Sequence, residues 1–165
     1  MNLKQLRLLL PENAQDVHSA IQLVALEPKA LAPVIPEMLR HLKHSKSPVA
    51  DTFCRFFALH GEQYVAHVVS ILARSTMPEI KYVILSSVLP VWSREGVAAC
   101  AEPLKMLVTD SNPLNYDLLA IELLARHRLA DTDWLRGWLE FKIARNAERS
   151  QLAKEVGGEL QKYGH

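Results

Sequence analysis

Three short signals for the start of a helix recur along the middle of the chain at nearly equal spacing. Each places a residue able to cap a helix just ahead of a proline, at Ser47-Pro48, Thr76-Met77-Pro78 and Asn112-Pro113, so the signals are 30 and then 35 residues apart. The capping side chain accepts hydrogen bonds from the free N–H groups of the first turn, and proline suits that turn because it has no N–H of its own. The spacing therefore predicts three helices that begin at regular intervals.

Apolar residues at helical spacing follow each signal, and after a break a second apolar stripe follows the first. The first stripes are Val49, Phe53 and Phe56; Ile80, Ile84, Val88 and Val91; and Leu114, Leu118, Ile121 and Ala125. The second stripes are Val65, Val68 and Leu72; Val97, Ala101, Leu104 and Val108; and Leu135, Leu139 and Ile143. Upstream, Val17, Ile21 and Val24 and then Leu31, Ile35, Met38 and Leu42 predict a further pair of helices, and Leu152, Val156 and Leu160 predict a last helix downstream.

The sequence accordingly predicts one all-α domain over residues 1–165 with about eight or nine helices. No segment alternates apolar and polar residues as a half-buried strand does, and no Asn-Gly or Asp-Gly hairpin signal occurs. A period of 30 to 35 residues is typical of two-helix repeats that stack into an α-solenoid of the HEAT-like kind; a plain globular helix bundle is the alternative. The predicted pairs cover residues 12–46, 47–75, 76–111 and 112–146, with a C-terminal helix at 147–165.

Composition narrows the class of function. Nineteen basic and eighteen acidic residues leave a formal net charge of +1, which disfavours a dedicated nucleic-acid binder or a protein of anionic membranes. No stretch approaches the roughly 20 apolar residues that cross a bilayer, and Pro11 interrupts the apolar N-terminus well short of a secretory signal. Cys54 and Cys100 lie in apolar helical runs and are interpreted as reduced core thiols. These features predict a cytoplasmic protein.

Scattered motif positions over roughly residues 8–128 resemble a bacterial domain family of uncharacterised function whose members are similar to HEAT-like repeats. The positions are Leu9-Leu10-Pro11, Asp16, Pro33-Val-Ile-Pro-Glu-Met-Leu39, Ser47-Pro48-Val49-Ala50, Gly61 before a Val/Ile-rich helix, and Lys81-Tyr82-Val-Ile-Leu85. The chain departs from the family pattern at Ser47 and at Glu79-Ile80, where the family has a tryptophan. Because small domains of this kind resemble companions of secreted bacterial toxins, the resemblance implies an immunity role. It implies no catalytic residues.

The sequence contains no recognisable catalytic, metal or cofactor signature. His41 and His44 can share a helix face, but no Cys, Asp or Glu stands beside them at ligand spacing, and Lys43 and Lys46 would repel a cation. No nucleophile elbow, phosphate-binding loop or zinc-protease motif is present. We therefore expect no enzyme activity, no cofactor and no metal.

Aromatic and acidic residues gather late in the chain, where residues 107–140 carry six acidic and three basic side chains. Large rings bind protein surfaces well and neighbouring charges steer the encounter, so this cluster is the predicted site for a protein partner with a basic surface. It comprises Trp92, Glu95, Tyr116, Asp117, Asp131, Asp133 and Trp134. The structural alternative is that the tryptophans, Trp138 among them, fill the core and that Asp131 or Asp133 caps a helix.

These observations predict a non-catalytic protein-binding module. The specific hypothesis is an immunity protein that neutralises a cognate bacterial toxin by stoichiometric binding. A general scaffold or adaptor is the first alternative. A HEAT-like enzyme that repairs nucleic acid is the second, although it would need a basic concave face and an aromatic pocket, whereas the tryptophans here lie mainly in the acidic part of the chain.

Overall fold

The structure is a computed structural model that describes residues 2–74, 76–110, 114–145 and 150–163, except the side chains of 150–153. All regular structure in these ranges is helical and none is a strand, which confirms the all-α prediction. The chain divides into two compact units, residues 1–92 and 93–165, and the predicted helix pair 76–111 spans the division. No helix within the described ranges is both long enough and apolar enough to cross a membrane.

The first unit is built from short helices. Its α-helices are α1 (Leu3–Leu8), α2 (Val17–Val24), α3 (Ile35–His41), α4 (Pro48–His60), α5 (Val65–Arg74) and α6 (Pro78–Val83). Between or after them lie 3-10 segments at Pro28–Val34, Gly61–Tyr64 and Leu89–Val91 and a π-helical turn at Ile84–Val88.

Helix α4 lies at the centre of the first unit and contacts α2, α3 and the π-helical turn. It begins as the sequence predicts: the Ser47 hydroxyl accepts a hydrogen bond from the Ala50 N–H at 3.1 Å, and Pro48 occupies the first turn. Phe53 and Phe57 are completely buried along its inner face. The cap therefore fixes where the helix starts, and the two rings supply much of the apolar surface that holds the unit together.

The second unit packs around one apolar helix. It contains α7 (Arg94–Ala98), α8 (Ala101–Thr109), α9 (Tyr116–Arg126), α10 (Thr132–Arg145) and α11 (Ser150–Tyr163). Helix α9 contacts α8, α10 and α11 and is apolar around most of its circumference, with Leu118, Ile121 and Leu124 fully buried. A helix that is apolar on most sides is stable only when neighbours cover it, which explains its central place.

The described residues contain more helices than the eight or nine predicted, because α1 lies ahead of the first predicted pair and prolines divide three of the predicted segments. A proline inside a helix lacks the N–H that would bond four residues back, and its ring collides with that carbonyl. Pro36 follows the change from 3-10 to α-helix near Ile35, Pro103 follows the break between α7 and α8, and Pro90 follows the π-helical turn. The helix predicted from the stripe of Ile80, Ile84, Val88 and Val91 is therefore three short segments, namely α6, the π-helical turn and the 3-10 segment Leu89–Val91.

Of the three predicted caps, the one at Ser47 forms, the one ahead of Pro78 does not, and the one ahead of Pro113 lies outside the described residues. Helix α6 has Met77 as its capping residue, in an extended conformation and without a capping hydrogen bond from a side chain, so the prediction of a side-chain cap there was wrong. Thr76 stands one position too early to reach the first turn. Asn112-Pro113 lies outside the described residues, and α9 starts after Asn115, whose φ of 57° turns the backbone into the helix.

Candidate functional site

Trp92, the first residue of the predicted binding cluster, is buried at the end of the first unit. Its indole Nε1–H donates a hydrogen bond to the Phe57 carbonyl at 2.9 Å, and only 4% of the residue is exposed. The ring lies against Gly61, where an added Cβ would come within 2.6 Å of the ring atom Cζ2. A buried indole with its one donor satisfied is a core side chain, so Trp92 fits the structural alternative and presents no surface to a partner.

Tyr116 and Asp117 are also buried, at the start of α9. The Asp117 side chain is completely buried and forms an ion pair with Lys142 of α10, with 2.7 Å between Oδ2 and Nζ. The same Nζ donates a hydrogen bond to the Asp110 carbonyl at 2.7 Å, and burial raises the pKa of Tyr116. This pair joins α9 to α10 inside the unit, so it holds the structure together and does not offer an acidic surface.

Four members of the predicted cluster are exposed: Glu95, Asp131, Asp133 and Trp134. Glu95 lies in the first turn of α7. Asp131 caps α10, since its Oδ1 accepts a hydrogen bond from the Trp134 N–H at 2.8 Å, and Asp133 pairs with Arg136 at 3.0 Å. The capping alternative therefore holds for Asp131. Three of the four exposed residues come together at the start of one helix, α10.

Helix α10 presents a row of three aromatic side chains at intervals of four and three residues, Trp134, Trp138 and Phe141. The Trp134 and Trp138 ring centroids are 6.5 Å apart with planes at 70°, and those of Trp138 and Phe141 are 5.6 Å apart at 86°. Both are edge-to-face contacts, which aromatic rings favour. Trp134 is 37% exposed and Phe141 is 48% exposed. The rings thus support one another while leaving much of their surface open.

A shallow pocket of about 360 Å³ lies on this side of α10 and will be called the α10 pocket. The residues that line it are Asp133, Trp134, Gly137, Trp138 and Phe141. Gly137 leaves the space open, since a Cβ added there would meet no atom within 4 Å. An aromatic wall, a glycine and one carboxylate therefore form a concave surface on a single helix.

Two cationic side chains of α10 lie over the rings of the row. Lys142 Nζ is 5.5 Å from the Trp138 ring centroid, and the Arg145 Cζ is 5.4 Å from the Phe141 centroid. These distances are within the range in which the negative face of an aromatic ring attracts a cation. Cations of the same helix therefore already occupy one face of Trp138 and one face of Phe141, and Lys142 is held in its place by Asp117.

The sequence reasoning missed Phe141 and gave a place in the core as the alternative for Trp138, which the structure leaves half-buried. The signal was present, because residues 134, 138 and 141 are spaced so that they share one face of a helix. Of the stripe predicted for α10, Leu135 and Leu139 point into the unit and are buried, whereas Ile143 is 38% exposed. The helix thus has two apolar faces, and one of them faces outward.

The thiols and histidines form no comparable site among the described residues. Burial raises the pKa of Cys100 to about 12 and also raises that of Cys54, so neither thiol is activated as a nucleophile. His41 packs against the Phe53 ring at 5.7 Å, and desolvation lowers its pKa. No group of three or more His, Cys, Asp or Glu residues in the described ranges is placed to hold a metal ion.

Comparison of the chain with protein-family models, with curated proteins and with solved structures finds no match. The resemblance to a bacterial domain family therefore rests on the motif positions quoted from the sequence.

Proposed function

We propose that this protein acts by binding another protein, without catalysis, through the aromatic row of α10. The observation that carries the proposal is the outward face formed by Trp134, Trp138 and Phe141. Aromatic side chains dominate the energetics of protein interfaces because they bury a large area and have few rotatable bonds to immobilise. A row of them left partly exposed marks a surface that gains stability when a partner covers it.

The geometry of α10 supports a surface role for this row. Successive helical residues turn by about 100°, so the aromatic row lies roughly a quarter to a third of a turn away from the buried stripe of Leu135 and Leu139. That stripe is buried within the unit, as is Lys142, which pairs with Asp117 of α9. The aromatic row is thus additional apolar surface, and Gly137 beside it keeps the surface concave.

The specific form we propose is an immunity-type inhibitor that neutralises a bacterial toxin in the cytoplasm, with a scaffold or adaptor as the alternative. The family resemblance in the sequence supports the first, and the exposed aromatic row is compatible with both. The HEAT-like stacking of helix pairs is part of the same proposal. In the second unit, this stacking is supported by the contacts of α9 with α8, α10 and α11, through which neighbouring helices cover one another.

Affinity capture with a matched pair of variants tests the proposal. Gly137→Leu fills the α10 pocket, whereas Gly158→Leu makes the same change at an exposed glycine of α11 where an added Cβ also meets nothing within 4 Å. Neither change should destabilise the protein, because leucine favours a helix more than glycine does. We expect a stoichiometric partner captured by the wild type and by Gly158→Leu to be lost with Gly137→Leu.

The captured partner then distinguishes the two forms of the proposal. It is expressed in cells that lack this protein, and growth is measured. Arrested growth that is rescued by the wild type but not by Gly137→Leu would establish immunity, and normal growth would favour the scaffold. A partner retained equally by Gly137→Leu would refute binding through α10, and recovery of nucleic acid alone would refute protein binding.

A further inference from the structure

We propose that the α10 pocket receives an arginine side chain of the partner, with the guanidinium stacked on the aromatic row and paired with Asp133. This inference rests on the proposed function, since it names the group that the pocket binds. Three features of the pocket carry it: the chemistry of the rings, the position of the carboxylate and the space beside Gly137.

The rings favour a cation. Trp138 and Phe141 lie within 5.5 Å of the charged groups of Lys142 and Arg145, so cations of the same helix already occupy a face of each of these two rings. Tryptophan has the most favourable ring for such contacts. Trp134 is the member of the row for which no such cation contact is found among the described residues. Its exposed surface, next to Asp133, is where we place the incoming guanidinium.

The carboxylate supplies the opposite charge. Asp133 lines the pocket and its side chain is 87% exposed, so an incoming cation can reach it without any movement of the core. Its present contact with Arg136 is an exposed pair three residues apart on the same helix, and such pairs contribute little to stability. A guanidinium from a partner can therefore replace that contact at small cost.

The shape of the pocket favours arginine over lysine. The guanidinium is flat and is able both to stack on a ring and to donate two parallel hydrogen bonds to one carboxylate, whereas the ammonium of lysine is a compact and strongly hydrated charge. The pocket is open, with about 360 Å³ between the rings and Asp133, and Gly137 has no side chain to obstruct a flat group. A planar cation therefore makes more of the available contacts.

Nuclear magnetic resonance of the full chain tests the inference with a defined probe, a five-residue peptide of alternating glycine and arginine. Matched peptides carry citrulline, which is neutral and nearly the same shape, or lysine. The chain has three tryptophans, and their indole N–H signals report on separate places. We expect the arginine peptide to shift the signals of Trp134 and Trp138 and to leave that of Trp92 unchanged, because Trp92 is buried and bonded to Phe57.

Two pairs of variants locate the binding. Asp133→Asn removes the carboxylate of the pocket, whereas Asp131→Asn removes a neighbouring charge and keeps the helix cap, since asparagine also caps well. Gly137→Leu and Gly158→Leu form the second pair. We expect Asp133→Asn and Gly137→Leu each to lower the affinity for the arginine peptide by about fivefold, as the loss of one charge contact or one ring contact would. The two control variants should bind like the wild type.

Several results would overturn the inference: equal binding of the citrulline peptide, equal binding of the lysine peptide, or equal weakening by Asp131→Asn. The outcome is separable from that of the proposed function. If capture of the partner depends on Gly137 but the arginine peptide does not bind, the inference fails and protein binding through α10 stands. If the arginine peptide binds at α10 but no partner is captured, the pocket chemistry is supported and the proposed function fails.

Discussion

Replacement of Lys142 by methionine is expected to destabilise the folded protein by about 3–5 kcal/mol, the usual cost of removing one partner from a buried ion pair. The basis is the position of the pair: the Lys142 side chain is 6% exposed, that of Asp117 is completely buried, and the charged atoms are 2.7 Å apart. The substitution also removes the hydrogen bond to the Asp110 carbonyl, which adds about 1 kcal/mol. Methionine fills a volume similar to that of lysine, so the loss of stability arises from electrostatics and not from a new cavity.

Urea unfolding followed by far-ultraviolet circular dichroism measures this change as a shift of the midpoint. The control is Lys105→Met, which breaks an exposed pair with Glu102 and should cost less than about 1 kcal/mol. The double variant Lys142→Met with Asp117→Leu should recover much of the lost stability, because an apolar pair of similar volume replaces buried charges well. An unchanged midpoint for Lys142→Met, or a double variant less stable than the single one, would refute the reasoning.

Three other properties follow from the buried residues. Gly61→Ala should lower the free energy of unfolding by about 1–3 kcal/mol in chemical denaturation, because its Cβ would overpack against the fixed Trp92 ring; unchanged stability would show that the ring can move. In the folded state Cys100 should resist a thiol reagent at mildly alkaline pH, because burial raises its pKa to about 12. Cys54, which is half-buried, should react first, and the reverse order of reaction would contradict this reasoning. Burial lowers the pKa of His127 below its ordinary 6.5, so the stability that depends on the neutral imidazole is fully present above pH 6.5 and is lost as the pH falls below it. In thermal melts, the melting temperature of His127→Gln should therefore depend less on pH over that range than that of the wild type.

The helical class and several helix starts could be predicted from the sequence because they depend on local chemistry. The cap at Ser47 is an example, since the hydroxyl and the Ala50 N–H that it accepts from are three residues apart. The division of the apolar segments was harder to predict. Pro90 and Pro103 were visible in the sequence, but a proline can bend a helix or end it, and packing decides which.

The binding cluster was predicted less well than the fold. Trp92 and Trp134 are the same residue type at the edges of apolar segments, yet one is buried against Gly61 and the other is 37% exposed. Asp117 lies at the start of a helix as Asp133 does, yet Lys142, 25 positions further along the chain, holds it inside the unit. Contacts of such long range leave no trace in the spacing of neighbouring residues.

The sequence alone determined that this chain is helical, where α4 begins, and which residues of α10 share a face. Those properties follow from hydrogen bonds and side-chain positions within a few residues of one another. The tertiary structure decided which face is covered: it buried Leu135 and Leu139 and left Trp134 and Phe141 open beside Gly137. The reason is physical, since periodicity fixes the direction in which side chains point around a helix, whereas burial depends on which other helices pack there.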